Sequence, residues 1–104
     1  MFIWVLDIKS EAGKLLGTCN ISHTVVSLGR TGCDIELDDE KVSKLHASFL
    51  LHEQNLILVD NNSTNGTYVN GHKVDKKELK DGDLIIVGNT NISVKKVREN
   101  CTLN

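Results

Sequence analysis

Short runs of apolar residues, separated by polar or glycine-containing segments, recur along the whole chain. The runs occupy residues 2–8, 15–21, 24–28, 34–37, 47–51, 56–59, 67–69, 84–87 and 92–97. They are too short for stable helices, which in isolation need about 12 residues or more. Period-two alternation at residues 3–6 and 92–95 places successive side chains on opposite faces of a strand. The pattern therefore predicts half-buried β-strands.

The segments between these runs contain residues that form tight turns. Glycine paired with a small or polar residue supplies a positive φ at low cost, and such pairs occur at Ala12–Gly13, Thr31–Gly32, Asn65–Gly66, Asn70–Gly71, Asp81–Gly82 and Gly88–Asn89. The only stretch with helical character, residues 75–80, is charged and short, so we expect a loop or a single turn there. Many short strands joined by regular turns predict an all-β sandwich or barrel.

The length of 104 residues corresponds to one domain. No repeat, low-complexity segment or internal linker divides the chain. We expect a single domain over residues 1–104, with a core at about 1–98, whereas the polar residues 99–104 begin a tail or linker of a longer protein.

Acidic and basic residues are nearly balanced, with 14 Asp and Glu against 12 Lys and Arg and a formal net charge of −2. An overall positive field that would attract nucleic acid is therefore absent, and any anion site has to be local. No stretch approaches the about 18 consecutive apolar residues of a membrane span, and the first residues do not resemble a signal peptide. We expect neither nucleic acid nor membrane as a direct partner.

The cysteines and histidines form no metal-binding pattern. The three cysteines cannot all pair internally, and they lie at Cys19, Cys33 and Cys101. The histidines show no ligand spacing, and they lie at His23, His46, His52 and His72. We expect a reducing, intracellular compartment, no metal and no cofactor.

Polar residues with several hydrogen-bond donors cluster at the predicted strand ends, at Arg30, Ser43–Lys44, Ser63–Thr67 and Asn70–Gly71. In a sandwich, loops at the strand ends bring together side chains that are distant in sequence. A guanidinium, an ammonium, hydroxyls and a carboxamide can together surround an oxyanion, and arginine binds phosphate through paired hydrogen bonds. These residues are the candidates for a local anion site.

Two other chemistries are weaker interpretations of the same residues. Ser43 and His46 could form a nucleophile and base, but no third orienting group is identifiable, G-x-S-x-G does not occur, and Ser43 does not stand in an S-x-x-K motif. The loop from Asn61 resembles a calcium loop, but its first position is Asn and its twelfth is His72 instead of a bidentate Glu. We therefore rank hydrolysis and calcium binding well below anion binding.

The order of the motifs resembles that of the forkhead-associated (FHA) domain family of phosphothreonine-peptide binding modules. The resemblance spans nearly the whole chain and rests on Leu28–Arg30, Cys33–Leu37, Val42–Ala47, Asp60, Ser63–Gly71, Leu79, Asp81–Asp83 and Gly88. It implies an FHA-type β-sandwich of about eleven short strands, with the peptide held by loops at one end.

The resemblance also assigns roles to individual residues. The phosphothreonine-binding set would comprise Arg30, Ser43, Lys44, Thr64 and Asn65, with Arg30 and Ser43 on the phosphate and Asn65 on the peptide backbone. Lys44 stands where the family more often has Arg or Asn. Peptide specificity would involve Lys41 and Asn89, and the basic Lys41 favours an acidic residue three positions after the phosphothreonine. Structural support for the site would come from Gly29, His46, Gly66 and Asn70.

The function implied by the resemblance is binding without catalysis. The domain would recruit phosphorylated partners, and by family analogy it would stand at the start of a nuclear, DNA-damage-response type scaffold. The alternative is a homodimerisation domain that binds phosphopeptide weakly or not at all. Phe2 and Trp4 are the residues that could form such a self-association surface, although aromatic residues near a terminus most often belong to the core.

Overall fold

A computed structural model describes residues 2–98. These residues form eleven β-strands joined by turns and loops. Their bounds are β1 Phe2–Lys9, β2 Leu15–Ile21, β3 Val25–Gly29, β4 Ile35–Glu36, β5 Ala47–His52, β6 Asn55–Asp60, β7 Thr67–Val69, β8 His72–Val74, β9 Lys76–Glu78, β10 Leu84–Val87 and β11 Thr90–Arg98. The all-β prediction and the implied number of strands are confirmed. The expectations for the tail at residues 99–104 and for Cys101 lie outside the described residues.

The strands form two sheets that pack face to face. The six-stranded sheet has the order β2-β1-β11-β10-β7-β8, and the five-stranded sheet has the order β4-β3-β5-β6-β9. Both sheets contribute alternate, fully buried side chains to one core, among them Leu6, Leu28, Phe49, Leu56, Leu58, Ile85, Val87 and Ile92. This two-sided burial is the reason why the chain forms a sandwich.

The turn predictions are confirmed by the backbone. Asn70 and Gly71 both have positive φ, 51° and 85°, between the antiparallel strands β7 and β8. Two successive residues with positive φ are typical of the type I′ turn that joins tightly paired strands. The glycines of the other predicted turns also have positive φ.

The prediction of a loop or single turn at residues 75–80 is wrong, because Lys76–Glu78 forms the edge strand β9. It pairs antiparallel with β6, where Ile57 lies opposite Glu78 and Val59 opposite Lys76. All three β9 side chains are exposed, so no apolar alternation marks the strand. Backbone pairing creates it, and charged side chains on such an edge oppose further strand addition. Strand β8 is also three residues long, with Lys73 at its centre. It was not predicted either, because its side chains are mostly exposed.

The two aromatic residues of β1 differ in burial. Trp4 is only 5% exposed, and its indole N–H donates to the Gln54 carbonyl at 3.0 Å. Phe2 is 46% exposed, and the Lys96 ammonium lies 5.0 Å from its ring centroid. The core assignment is therefore confirmed for Trp4, which leaves Phe2 as the exposed aromatic residue of this strand.

Candidate functional site

The loop after β3 begins with a close backbone approach at Gly29. A Cβ atom added to Gly29 would lie 2.0 Å from the Lys44 carbonyl oxygen and 2.7 Å from Cys33 Sγ. Next in the chain, the Arg30 N–H donates to the Ser43 carbonyl at 3.0 Å, while the Arg30 side chain is exposed. Gly29 thus allows the loop that carries Arg30 to contact the loop that carries Ser43 and Lys44.

His46 connects two of the site loops from inside the protein. The Ser43 N–H donates to His46 Nδ1 at 3.0 Å, and His46 Nε2 lies 2.9 Å from the Gly66 carbonyl oxygen. Since Nδ1 accepts, the ring carries its proton on Nε2 and donates to Gly66. The imidazole is completely buried, so both bonds are shielded from water. This geometry matches the bracing role expected for His46.

Ser43 and Thr64 meet at the surface. The Thr64 N–H donates to Ser43 Oγ at 3.0 Å, and the two hydroxyl oxygens lie 3.5 Å apart. Because Ser43 Oγ accepts from the Thr64 backbone, its own proton can be donated outward to an anion. Lys44 follows Ser43 in the chain, and its side chain is exposed. The structure therefore brings Arg30, Ser43, Lys44 and Thr64 to one region of the loop surface.

Asn65 joins this group through a different contact. Its side-chain amide nitrogen donates to the Lys41 carbonyl oxygen at 2.8 Å. A primary amide has a second N–H and an oxygen, and this pair can match one peptide unit of an extended ligand. The contact also ties the loop that carries Lys41 to the loop that carries Thr64.

Two carboxylates that the sequence analysis did not assign to the site hold these loops. Asp60 Oδ1 accepts from the hydroxyls of Ser63 at 2.5 Å and Thr67 at 2.7 Å, and Asp60 Oδ2 accepts from the Ser63 N–H at 3.1 Å. Ser63 Oγ in turn accepts from the Gly66 N–H at 3.0 Å. Asp60 stands three residues before Ser63. This spacing was a usable sequence signal, because Asp commonly accepts from nearby backbone N–H groups in turns.

Asp39 is the second carboxylate, and it holds the loops that carry Lys41 and Asn89. It is 9% exposed, and its carboxylate accepts from the Lys41 N–H at 3.0 Å, the Asn89 N–H at 2.7 Å and the Thr90 hydroxyl at 2.8 Å. The two predicted specificity residues, Lys41 and Asn89, are therefore linked through one buried carboxylate. Asp39 and Asn89 are 50 positions apart, and no local pattern predicts that contact.

Asn70 lies apart from the other expected site residues. Its amide nitrogen donates to Asp83 Oδ1 at 2.9 Å, and its amide oxygen accepts from the Leu84 N–H at 3.0 Å. These bonds tie the β7–β8 turn to the start of β10, at the end of β7 opposite to Gly66. Asn70 braces neighbouring turns, but the structure does not place it with the loops of Arg30 and Ser43.

Hydrogen bonding lowers the pKa of both loop-holding carboxylates. Burial alone would raise the pKa of Asp60, but the bonds from Ser63 and Thr67 outweigh it and hold this pKa below its ordinary value. Burial is likewise outweighed at Asp39 by the bonds from Thr90, Lys41 and Asn89, so its pKa is also lowered.

The lowered pKa values predict a loss of stability in acid. A carboxylate with a depressed folded-state pKa stabilises the fold above the unfolded value of about 3.9 and loses that contribution as the pH falls through the folded pKa. We expect the urea midpoint to decrease as the pH is lowered from about 5 to about 3, and to decrease less in Asp60→Asn over the same interval. Equal acid sensitivity of the variant and the wild type would contradict this role of Asp60.

Neither a metal site nor a membrane segment was expected from the sequence. Within residues 2–98, no group of three His, Cys, Asp or Glu side chains has a geometry that could hold a metal ion. No helix in the described part of the chain is long and apolar enough to cross a membrane.

The two sheets form a β-sandwich, and the connected loops form a polar binding surface at one end of it. The chain belongs to the FHA domain family, whose family model matches residues 26–88. The identification agrees with the resemblance found in the sequence.

Curated relatives come from both bacteria and yeast. The glycogen accumulation regulator GarA of Mycobacterium tuberculosis is 42% identical over 69 residues, which cover 65% of this chain and 43% of GarA. The serine/threonine-protein kinase RAD53 of Saccharomyces cerevisiae is 34% identical over 89 residues, which cover 81% of this chain and 11% of the kinase. The chain therefore spans less than half the length of these relatives.

Solved structures of similar domains superpose over most of the chain. One, from a structural and functional analysis of phosphothreonine-dependent FHA domain interactions, is 32% identical with a TM-score of 0.81 and covers 89% of this chain and 95% of that chain. The FhaA FHA domain, complexed with the intracellular domain of Rv3910, is 32% identical with a TM-score of 0.80 and covers 88% of this chain and 99% of its own.

Proposed function

We propose that this FHA domain binds phosphothreonine-containing peptides and thereby recruits phosphorylated proteins, without catalysing a reaction. The observation that carries the proposal is the direct linkage of Arg30, Ser43 and Thr64 through the Arg30 N–H and the Thr64 N–H. The structure from the study of phosphothreonine-dependent FHA interactions supports it, since that domain shares the fold at 32% identity.

The arrangement suits a phosphate because the loops that carry the donors are bonded to one another before the ligand arrives. A phosphorylated threonine carries a charge of about −1.5 to −2 at neutral pH and has three strong acceptor oxygens. The exposed Arg30 guanidinium offers two parallel N–H donors, Ser43 offers its hydroxyl proton, and Lys44 adds a positive charge. Because the loops are already bonded to one another, little ordering is required on binding.

The geometry of His46 argues against the hydrolase interpretation. Its Nδ1 accepts from the backbone N–H of Ser43 and not from the hydroxyl, and its Nε2 donates to the Gly66 carbonyl. No nitrogen lone pair of the ring remains to take a proton from Ser43 Oγ, so the pair lacks the nucleophile and base contact that covalent catalysis requires. Binding without turnover is the function that this arrangement supports.

A nuclear location and a role in the DNA-damage response are predictions from family analogy. Among the yeast relatives, DUN1 is named as a DNA damage response protein kinase, and neither its name nor that of RAD53 speaks for the nucleus. GarA is a bacterial regulator, so the family relationship does not favour the nucleus or the DNA-damage response over other settings. Homodimerisation likewise remains an alternative prediction.

The variant Arg30→Ala tests the proposal, because it should bind phosphothreonine peptides more weakly than the wild type. Hydrogen bonds to a charged group contribute about 1.5 to 3 kcal/mol, so we expect a dissociation constant about 10- to 150-fold higher. Fluorescence polarisation would measure it with a degenerate phosphothreonine library beside matched phosphoserine and unphosphorylated libraries. Added salt should weaken the wild-type interaction.

Arg98→Ala provides the matched control, because Arg98 is exposed and lies at the end of β11 that is far from Thr90 and the site loops. It removes the same charge, and it should leave the dissociation constant within about twofold of the wild type. If Arg30→Ala is folded by circular dichroism and binds as tightly as the wild type, Arg30 does not bind the phosphate.

A further inference from the structure

A groove of about 750 Å³ lies on one flank of the sandwich, between the two sheets. Its walls come from the edge strands β2 and β4 and from the residues that follow β4. Its apolar lining consists of Ile8, Leu16, Cys19, Ile35 and Leu37. Edge strands present backbone N–H and C=O groups that can bond an extended segment.

The rim of this groove is acidic. Asp34, Glu36 and Asp38 are exposed and alternate with the buried Ile35 and Leu37. None of the described residues that line the groove is Lys, Arg or His. One oxygen of Asp34 accepts from Ser27 and one oxygen of Glu36 accepts from the Gly32 N–H, which leaves the second oxygen of each carboxylate for a ligand.

The groove is continuous with the proposed phosphopeptide site. A smaller depression of about 320 Å³ is lined by Lys41 and Asn89, the two predicted specificity residues, together with the acidic residues Glu11, Asp38, Asp39 and Glu40. It shares four lining residues with the flank groove, Ser10, Leu16, Asp38 and Thr90. A peptide that passes Lys41 and Asn89 can therefore extend into the flank groove.

We propose that this flank groove binds the segment of the partner that follows the third residue after the phosphothreonine, and that this segment carries alternating basic and aliphatic residues. The inference rests on the proposed phosphothreonine function. The occupant follows from charge complementarity and from continuity with the phosphopeptide site. The four residue steps from Asp34 to Asp38 reach at most about 14 Å, so about four peptide residues can lie along them.

The proposal makes the preferred ligand change sign along its length. The phosphate is anionic, and Lys41 favours an acidic residue at the third following position. Beyond that point Glu36 and Asp38 favour Lys or Arg, while Leu16 and Leu37 contact the aliphatic side chains between them. An acidic segment at the same positions would place like charges together.

Three fluorescein-labelled probes test the groove separately from the phosphate site. All contain the same degenerate phosphothreonine core, which ends at the third residue after the phosphothreonine. One has no extension, one continues with Lys-Leu-Lys-Leu and one with Glu-Leu-Glu-Leu. We expect the basic extension to bind about three- to tenfold more tightly than the acidic one, the effect of a few partly exposed ion pairs.

The double variant Glu36→Gln/Asp38→Asn should reduce this preference to less than about twofold, because it removes two charges and retains acceptor oxygens. Asp75→Asn/Glu78→Gln is the matched control. It removes the same charge from exposed side chains at β9, the opposite edge of the five-stranded sheet. This control should retain the full preference. Amide shifts in the wild type should appear at residues 16–19 and 34–38 only with the extended probes.

The outcomes separate failure of the groove from failure of the site. If the core probe binds in an Arg30-dependent manner but all extensions bind equally, the groove proposal is wrong and the phosphothreonine function stands. If the core probe does not bind, the proposed function itself is wrong. Binding of the basic extension without phosphate, at equal affinity, would overturn the continuity of the two sites. A concentration-dependent dimer that only Glu36→Gln/Asp38→Asn abolishes would assign the groove to a second copy and overturn the proposal.

Discussion

Replacing Gly29 with alanine should destabilise the domain by about 3 kcal/mol or more and abolish phosphopeptide binding. The added methyl would lie 2.0 Å from the Lys44 carbonyl oxygen and 2.8 Å from the Lys44 carbonyl carbon. Both are backbone atoms of the loop that carries Ser43, so no flexible side chain can move aside. Either β3 or that loop has to shift, and the shift separates Arg30 from Ser43. Urea denaturation and fluorescence polarisation with the phosphothreonine library would measure the two effects.

Gly17→Ala is the control for this substitution. Gly17 lies in β2, and a Cβ atom there would have no atom within 4 Å. Alanine should therefore be neutral or stabilising by up to about 1 kcal/mol, because it restricts the unfolded chain. Wild-type stability of Gly29→Ala, measured beside this control, would show that the loop adapts without cost and that the close approach is not required.

Replacing His46 with alanine should cost about 3 to 5 kcal/mol of stability, through a cavity and two lost hydrogen bonds. The substitution leaves the Ser43 N–H and the Gly66 carbonyl without their partner in the interior. Binding should also weaken, because the two loops that carry Ser43 and Thr64 lose their common brace. Thermal and urea unfolding would give the stability change, and the phosphothreonine library would give the change in affinity.

His52→Ala is the corresponding control, because His52 is an exposed residue at the end of the same strand, β5. Its effect should stay within about 0.5 kcal/mol. His46→Gln should recover part of the stability, since an amide has both an acceptor and a donor for the two loops. A melting temperature of His46→Ala equal to that of the wild type would contradict the bracing role.

Both substitutions act on residues that the ligand does not need to touch. Gly29 and His46 are buried and determine where the exposed side chain of Arg30 and the half-buried side chain of Ser43 lie. Arg30→Ala, by contrast, removes a surface side chain and should leave unfolding nearly unchanged. Measuring stability and affinity together therefore separates residues that position the loops from residues that bind the phosphate.

Most of the strands were predictable because apolar side chains mark them. The runs that became β1, β5, β6 and β11 each bury alternate side chains between the two sheets. The strands β8 and β9 were not predictable in this way, since their side chains are mostly exposed. Only pairing with β7 and β6, respectively, makes these segments extended.

The site shows the same division. The residue types at Arg30, Ser43 and Thr64 indicated an anion site, because hydrogen-bond donors at strand ends are visible in the sequence. The contacts of Asp39 with Asn89 and Thr90 were not visible, because those residues lie 50 and 51 positions away. Asp60 acts over a short range and was quoted within the family motif, but its bonds to Ser63 and Thr67 appear only in the folded loop.

The sequence by itself determined the fold class, the turns and the chemical character of the proposed phosphate site, because these depend on local periodicity, on glycine conformation and on side-chain donors. The tertiary structure decided which loops meet and which carboxylates hold them. It also decided that the acidic residues after β3 form the rim of a groove that leads away from Lys41 and Asn89. Such arrangements arise from strand pairing and sheet packing between distant parts of the chain, and these contacts have no local signature.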